Sequence, residues 1–212
     1  MKFILASASP RRKELLEQIG MKFEVRVSEA EEITEATEPA EYVMELSFLK
    51  AEDVAGKIPV MYDARGINQD FVVIGSDTVV AAEGEILGKP KDKDDARRMI
   101  AMLSGKTHQV YTGVTLMIFK DERMTRETFY EKTDVTFYEM TEKQIEEYIN
   151  GPISYDEVKE TFEWADKAGA YAIQGICSAY IKGINGDYAS VVGLPVSRIC
   201  HELTKYGIEW AE

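Results

Sequence analysis

The sequence predicts an α/β fold built on a mixed β-sheet, and three observations carry that expectation. Strand-like apolar segments outnumber helical ones, helices interrupt the strands instead of following them as a block, and no internal repeat or low-complexity tract breaks the pattern. The 212 residues allow one large domain or two small lobes with a sizeable core.

The first strand ends at Leu5, and the chain LASASPRRKELLEQIG then turns into a helix. Pro10 presets φ for a first helical position, Ser9 is a natural N-cap, and Gly20 is placed to stop the helix after Leu15, Leu16 and Ile19 have shared one face. Arg11 and Arg12 therefore sit in the first turn, where the helix dipole disfavours cations. The pair is either a solvated basic helix start or an anion grip in which guanidiniums and backbone N–H groups share one ligand. Phe23 to Val27 reads as a short strand, followed by the acidic loop SEAEEITEATEP. Pro39 opens a helix to about Ala55. Val43, Leu46, Lys50 and Val54 share its inward face, so Lys50 is either a snorkelling lysine or an ammonium aimed at phosphate.

After a polar loop from Tyr62 to Asp70, Phe71 to Ile74 and Thr78 to Ala82 read as two strands, and Glu83-Gly84 turns the chain into Glu85 to Leu87. Asp77 falls inside this apolar run, at the end of a central strand. A carboxylate there is costly unless bonded to a Gly75-Ser76 turn or used as a base or metal ligand. Gly88-Lys89-Pro90 brings a lysine to the end of the hairpin. A scaffold helix follows from Lys93 to Leu103, with Asp92 as cap, Ala96, Met99, Ile100 and Leu103 as its apolar stripe and Gly105 as its stop. Residues 108–120 and 127–139 alternate like paired strands, and Thr141 with Gln144 forms a capping box for a helix ending near Ile149. Residues 150–165 read as polar and irregular, Ile176 to Ile184 as an apolar strand, Asn185-Gly186 as a turn, and Pro195 as the start of the last helix.

Composition removes several function classes. A net charge of −13 disfavours a nucleic-acid polymer or an anionic membrane as partner, so any polyanionic ligand must be met by a local basic group, helped by a divalent cation. Two cysteines, Cys177 and Cys200, are too few for a disulfide framework and suit a reducing cytoplasm. No long apolar run or signal peptide is expected. His108 and His201 lack metal-ligand spacing, which argues against a zinc hydrolase or a Ser-His-Asp enzyme, and neither G-x-x-x-x-G-K-[ST] nor G-x-G-x-x-G occurs. Carboxylates, lysines and arginines must carry any chemistry.

Taken together, SPRR, GSDTVV, GKP, LSGKTHQVYTGV, KAGAYAIQG and INGDYASVVGLP resemble, in order and over nearly the full chain, the Maf family of nucleoside triphosphate pyrophosphatases. The resemblance implies a single Maf-like domain over residues 1–212, with an elongated mixed sheet, helices at its sides and two lobes around a central cleft. It implies Mg²⁺- or Mn²⁺-dependent hydrolysis of a nucleoside triphosphate to the monophosphate and pyrophosphate, and it allows a homodimer. By the same resemblance Asp77 is the proton acceptor, Ser9, Arg11, Arg12, Lys50 and Lys89 meet the phosphates, and Thr78 and Gln174 take part in base choice. One branch of the family, similar in Ser-Pro-Arg-Arg, Ser-Asp-Thr and Ile-Gln-Gly, acts on dTTP and UTP; another, differing at these positions, is associated with 7-methyl-GTP. The chain departs in longer stretches at 60–70 and 151–165 and in Trp164-Ala165, which replaces a Pro-containing approach to Asp166.

Elementary chemistry agrees with that reading. Water attack on an α-phosphorus needs cations to relieve repulsion and to stabilise departing pyrophosphate. Arg11, Arg12, Lys50 and Lys89 supply charge; Asp77 orients or deprotonates the water. Glu32 of the acidic loop joins Asp77 as a metal ligand, against the alternative of a merely solvated loop. Arg12 and Lys89 lie outside the apolar stripes, so they are expected to matter little for stability. The competing class is a non-catalytic regulator of septum formation that senses a nucleotide without turning it over.

Overall fold

Strand β1 (Lys2–Leu5) pairs in parallel with both of its neighbours, β2 (Phe23–Val25) and β3 (Phe71–Ala82), in registers that set Leu5 beside Val25 and beside Ile74. The chain leaves β1 through helix α1 (Pro10–Gln18) to reach β2 on one side and comes back through α2 (Pro39–Gly56) to β3 on the other. Right-handed crossovers running in opposite directions put the two helices on opposite faces and create a switch point beyond the C-terminal end of β1. The Ser-Pro-Arg-Arg segment starts there.

In the computed structural model, which describes residues 1–58, 70–156 and 159–210, these strands belong to a seven-stranded mixed sheet. Its remaining members are β4 (Glu85–Leu87), β5 (Thr107–Lys120), β6 (Arg123–Phe137) and β9 (Ile181–Asn185), in the order β2-β1-β3-β5-β6-β9 with β4 on β3. The expected mixed α/β architecture is therefore present. Helices α3 (Lys93–Leu103), α4 (Glu142–Asn150), α5 (Tyr188–Val192) and α6 (Val196–Lys205) complete it, and β7 (Pro152–Asp156) pairs with β8 (Lys159–Phe162) in a separate hairpin. The chain forms two compact units. The first comprises Met1–Asp77, Thr112–Glu131 and Gly193–Glu212; the second, Thr78–Tyr111 and Lys132–Val192.

In the first unit, α2 lies almost backbone-on-backbone against the sheet. A Cβ added at Gly75 of β3 would overlap the Ser47 carbonyl oxygen and stand 2.8 Å from the Ala51 Cβ; one added at Gly113 of β5 would overlap the Val43 carbonyl. Around these notches Ile4, Ala6, Ala51, Val54, Phe71 and Val73 close the core, and Phe71 stacks on Phe119 with ring centroids 5.2 Å apart. Because strand side chains alternate, Phe71, Val73, Gly75 and Asp77 all face α2, whereas Ser76 faces away.

The second unit packs α3 and α4 through Met99, Ile100, Leu103, Ile145 and Ile149 onto Val80, Val110, Val135 and Phe137. Its caps follow the sequence. Asp92 accepts from the Asp95 N–H at 2.8 Å, Thr141 and Gln144 form the full capping box, and Glu83-Gly84 turns with φ of 52° and 82°. His108 is enclosed by Phe137 and Tyr171, with Nε2 2.8 Å from the Tyr171 hydroxyl; among the described residues Nδ1 has no hydrogen-bond partner.

Several expectations are corrected. The two strands expected at 71–74 and 78–82 are one continuous strand, so there is no Gly75-Ser76 turn and Asp77 sits mid-strand; Gly75 serves the approach of α2 instead of a bend. β2 stops at Val25, and β6 starts at Arg123, ahead of the expected 127. The stretch read as irregular holds the β7–β8 hairpin and a 3₁₀ turn, Glu163–Asp166, because its own backbone groups pair locally. Residues Ile176–Tyr180 form 3₁₀ turns before β9, since the Ile176 and Cys177 N–H groups bond to a side chain and not to a neighbouring strand. Helix α5 was not expected, and Pro195 caps α6 from just outside it. Residues 60–69 of the expected longer loop lie outside the described residues. Trp164 of the departing Trp164-Ala165 pair is buried in the second unit, where it stacks on Phe162 and donates Nε1–H to the Ile149 carbonyl at 3.0 Å.

Two outcomes follow. Gly75→Ala is expected to lower unfolding free energy by roughly 1–3 kcal/mol, since backbone has to move to admit the methyl; urea unfolding measures it, and an unchanged midpoint would show that α2 yields freely. Burial pulls the His108 pKa down to about 4, against a weaker upward pull from Asp134. A base depressed in the folded state contributes stability that is complete above its unfolded value near 6.5 and is lost as pH falls towards 4. That contribution is about 3 kcal/mol, because each tenfold loss of proton affinity on folding is worth about 1.4 kcal/mol. Urea midpoints measured from pH 7 to pH 4 should therefore fall less steeply for His108→Gln than for the parent.

Candidate functional site

The switch point of the first unit is held together by the Gly193 carbonyl. Arg12 donates Nε–H to it at 2.9 Å, and Ser76, on the face of β3 turned away from α2, donates its hydroxyl at 3.0 Å. Arg12 also donates through Nη1 to the Ser7 Oγ at 3.1 Å, and that oxygen accepts the Ser9 N–H at 3.2 Å. Ser9 occupies the N-cap position of α1, but its side chain makes no cap bond. These contacts fix the guanidinium plane at the start of α1, with Arg11 beside it. Burial lowers the Arg12 pKa, Asp77 pulls it back up, Arg11 lowers it and Glu32 raises it; the group remains a cation throughout the physiological range.

Across β3, Lys50 reaches from α2 to Asp77, with Nζ 2.6 Å from Oδ1. Both residues are under a tenth exposed, and Gly75, two residues before Asp77 on the same face, is what lets α2 come close enough. The same ammonium lies 3.0 Å from Oε2 of Glu32, which is itself largely in solvent. Tyr42, two turns before Lys50 on α2, senses this cluster: burial raises its hydroxyl pKa, and Asp77 and then Glu32 raise it further. The first unit thus brings together four of the residues singled out by sequence, Arg12, Lys50, Asp77 and Glu32, and couples them electrostatically.

Thr78, Lys89 and Gln174 belong to the second unit. Thr78 follows Asp77 directly in β3, with its side chain on the opposite face. Lys89 is exposed on the loop after β4, where the Gly88 carbonyl accepts the Gly169 N–H at 3.1 Å. Gln174 is exposed in a turn closed by the Gly175 N–H on the Ala172 carbonyl at 3.3 Å.

Comparison with known proteins decides the family. The family profile described as Maf-like protein matches residues 2–206. The chain belongs to the Maf family. It is 54% identical over 211 residues to a dTTP/UTP pyrophosphatase of Agathobacter rectalis, covering 97% of this chain and 98% of that protein. Proteins of the same name from Lachnoclostridium phytofermentans and Bacillus anthracis are 46% and 47% identical; the alignments cover 97% and 98% of this chain and 95% and 97% of theirs.

Within this Maf protein, several site residues escaped sequence reasoning. Ser7, Ser76 and Gly193 position Arg12, and only the VVGLP motif hinted at the last; Tyr42 gave no signal beyond its place one turn before Leu46. Arg12, expected to matter little for stability, has a structural task as well, because it ties α1 to Ser7 and Gly193. As for a metal, no group of three His, Cys, Asp or Glu that could hold one occurs among the described residues. Asp77 and Glu32 nevertheless converge on one cation, the Lys50 ammonium. Two carboxylates suit Mg²⁺ or Mn²⁺, which take one or two protein carboxylates and complete their shell with substrate phosphates and water.

Lys50→Met is expected to destabilise the protein by about 3–5 kcal/mol, because it leaves a buried carboxylate uncompensated. Adding Asp77→Asn should recover more than half of that loss. Urea unfolding of the two single variants and the double variant tests this, and a single-variant loss below ~1 kcal/mol would show that the pair is hydrated.

Proposed function

We propose that this chain hydrolyses dTTP and UTP to the nucleoside monophosphate and pyrophosphate, and so acts in the cytoplasm to clear nucleotides from the pool. The observation that carries the reading is the buried Asp77 carboxylate, fixed through one oxygen by Lys50, which also meets Glu32, and electrostatically coupled to Arg12. It agrees with the full-length similarity to dTTP/UTP pyrophosphatases. Two free cysteines, one of them buried, suit a reducing compartment, and among the described residues no helix is long and apolar enough to cross a membrane.

In the proposed reaction a water oxygen forms a bond to the α-phosphorus, the bridging α–β P–O bond breaks, and pyrophosphate leaves. Lys50 holds Asp77 through Oδ1, and the carboxylate so fixed takes the water proton. Arg12, with its plane set by Gly193 and Ser7, and Arg11 beside it, offset the charge that builds on the phosphates. Asp77 and Glu32 would hold Mg²⁺ or Mn²⁺, which when bound neutralises phosphate charge and polarises P–O bonds. Ser9 and Lys89 are assigned to the phosphates, and Thr78 and Gln174 to the base, on their family motifs. A Gln amide matches the O4 acceptor and N3–H donor shared by uracil and thymine, and cytosine inverts both groups. A site committed to one pattern can reject the inverse strongly.

Asp77→Asn should fold yet lose at least about two orders of magnitude in kcat, since an amide cannot take the proton; pyrophosphate release and circular dichroism measure the two together. A nucleoside triphosphate screen should place dTTP and UTP first, CTP far lower and purines near background, with all turnover stopped by a chelator. ATP or 7-methyl-GTP as best substrate would refute the base assignment, and binding without pyrophosphate release would replace catalysis with sensing.

A further inference from the structure

Glu163 lies in the stretch that the sequence reads as irregular, yet among the described residues its side chain is one of the few buried carboxylates, at 5% exposure. Two of its three hydrogen bonds go to backbone. Oε2 accepts the Ile176 N–H at 2.6 Å and Oε1 the Cys177 N–H at 3.0 Å. The Tyr148 hydroxyl shares its proton between Oε1, at 3.2 Å, and the Ala170 carbonyl, at 3.0 Å. A Cβ at Gly175 would overlap Oε2, so glycine is required there for the carboxylate to reach its donors.

These bonds bracket one exposed residue. On the N-terminal side, Ala170 is held in the left-handed region at φ 62° with its carbonyl at Tyr148; on the C-terminal side, Ile176 and Cys177 are tied to Glu163. Between them the Ala172–Gly175 turn presents Gln174 outward. Burying a carboxylate is costly, and an apolar residue would fill the same space at less cost. Strand pairing could satisfy the two N–H groups without an acid. A buried acid clamped on the second and third residues after an exposed amide instead fixes the backbone from which that amide projects, which is what recognition by a bidentate amide needs.

We propose that Glu163 is a positioning residue for base selection, holding the 170–177 segment so that the Gln174 amide keeps one orientation towards a uracil or thymine ring. The role rests on the assignment of Gln174 to the base. It acts on the ratio of kcat/KM for dTTP to that for CTP, a quantity in which the concentration of folded enzyme cancels. A merely structural role therefore leaves the ratio unmoved.

The test is a double-mutant cycle of Glu163→Gln and Gln174→Ala, with the ratio measured for parent, both singles and the double. Glu163→Gln keeps the shape but can satisfy only one of the two N–H groups. It is expected to lower the ratio by roughly fivefold or more, mainly through a higher KM for dTTP, and to shift it no further once Gln174 is already Ala. An unchanged ratio in Glu163→Gln overturns the proposal, as does an equal shift in both backgrounds. If Gln174→Ala itself leaves the ratio at the parent value, the base assignment fails and the positioning role falls with it, a result distinct from failure of Glu163 alone. Should Glu163→Gln not fold, Tyr148→Phe takes its place in the same cycle. It removes only the hydroxyl shared by Glu163 and Ala170, and the same three outcomes decide.

Discussion

A lysine ammonium and a carboxylate 2.6 Å apart, each under a tenth exposed, have given up most of their hydration and recover it largely from one another. Lys50 and Asp77 therefore constrain everything around them. Helix α2 must hold its distance from β3, the acidic loop must bring Glu32 no farther than the second face of the ammonium, and Arg12 must sit where its charge balances the acids without displacing Lys50. The arrangement suits phosphate chemistry because it is already polarised. Charges that would otherwise have to reorganise during reaction are fixed in advance by hydrogen bonds to Ser7 and Gly193.

The two units manage buried polarity differently. The first sets ions against ions around the strand that carries Asp77. The second is built from hydrogen bonds to backbone: Glu163 to Ile176 and Cys177, Tyr148 to Ala170, Thr133 to Asp187, and Trp164 to Ile149. In that setting burial pushes the Cys177 thiol and the Tyr148 and Tyr171 hydroxyls well up, so they act as neutral packing and donor groups instead of ionising. Charge handling and shape handling are thus assigned to different parts of one chain.

How much of this is legible in the sequence depends on the range over which each signal acts. Helix α2 and the inward slot of Lys50 follow from a 3.6-residue period, and the caps of α3 and α4 from residues three apart; these signals are local, and the structure bears them out. Asp77 is visible as a carboxylate out of place, but its partner is not, because Lys50 is 27 positions away and only the fold brings them together. Gly75 reads as a turn residue because glycine signals two different things, bending and close approach, and sequence alone does not separate them. Polar composition hides the β7–β8 hairpin, and with it Glu163, whose bonds to Ile176 and Cys177 also explain why the expected strand starts late. The VVGLP motif marks the neighbourhood of Gly193 but not the task of its carbonyl, since a backbone acceptor leaves no mark in a residue code.

The glycine notches under α2 have a consequence for how this protein can vary. Where a helix rests on side chains, each change of core volume shifts it, and anything it carries shifts too. Here α2 touches the sheet through backbone at Gly75 and Gly113, so the standoff that delivers the Lys50 ammonium is set by atoms every residue shares. The apolar residues around the notches can exchange shapes over generations without moving the ammonium from its carboxylate. The two glycines cannot. Sequence drift in this core is thereby uncoupled from drift in its chemistry, and two positions without side chains hold the register for one that depends on the very end of its own.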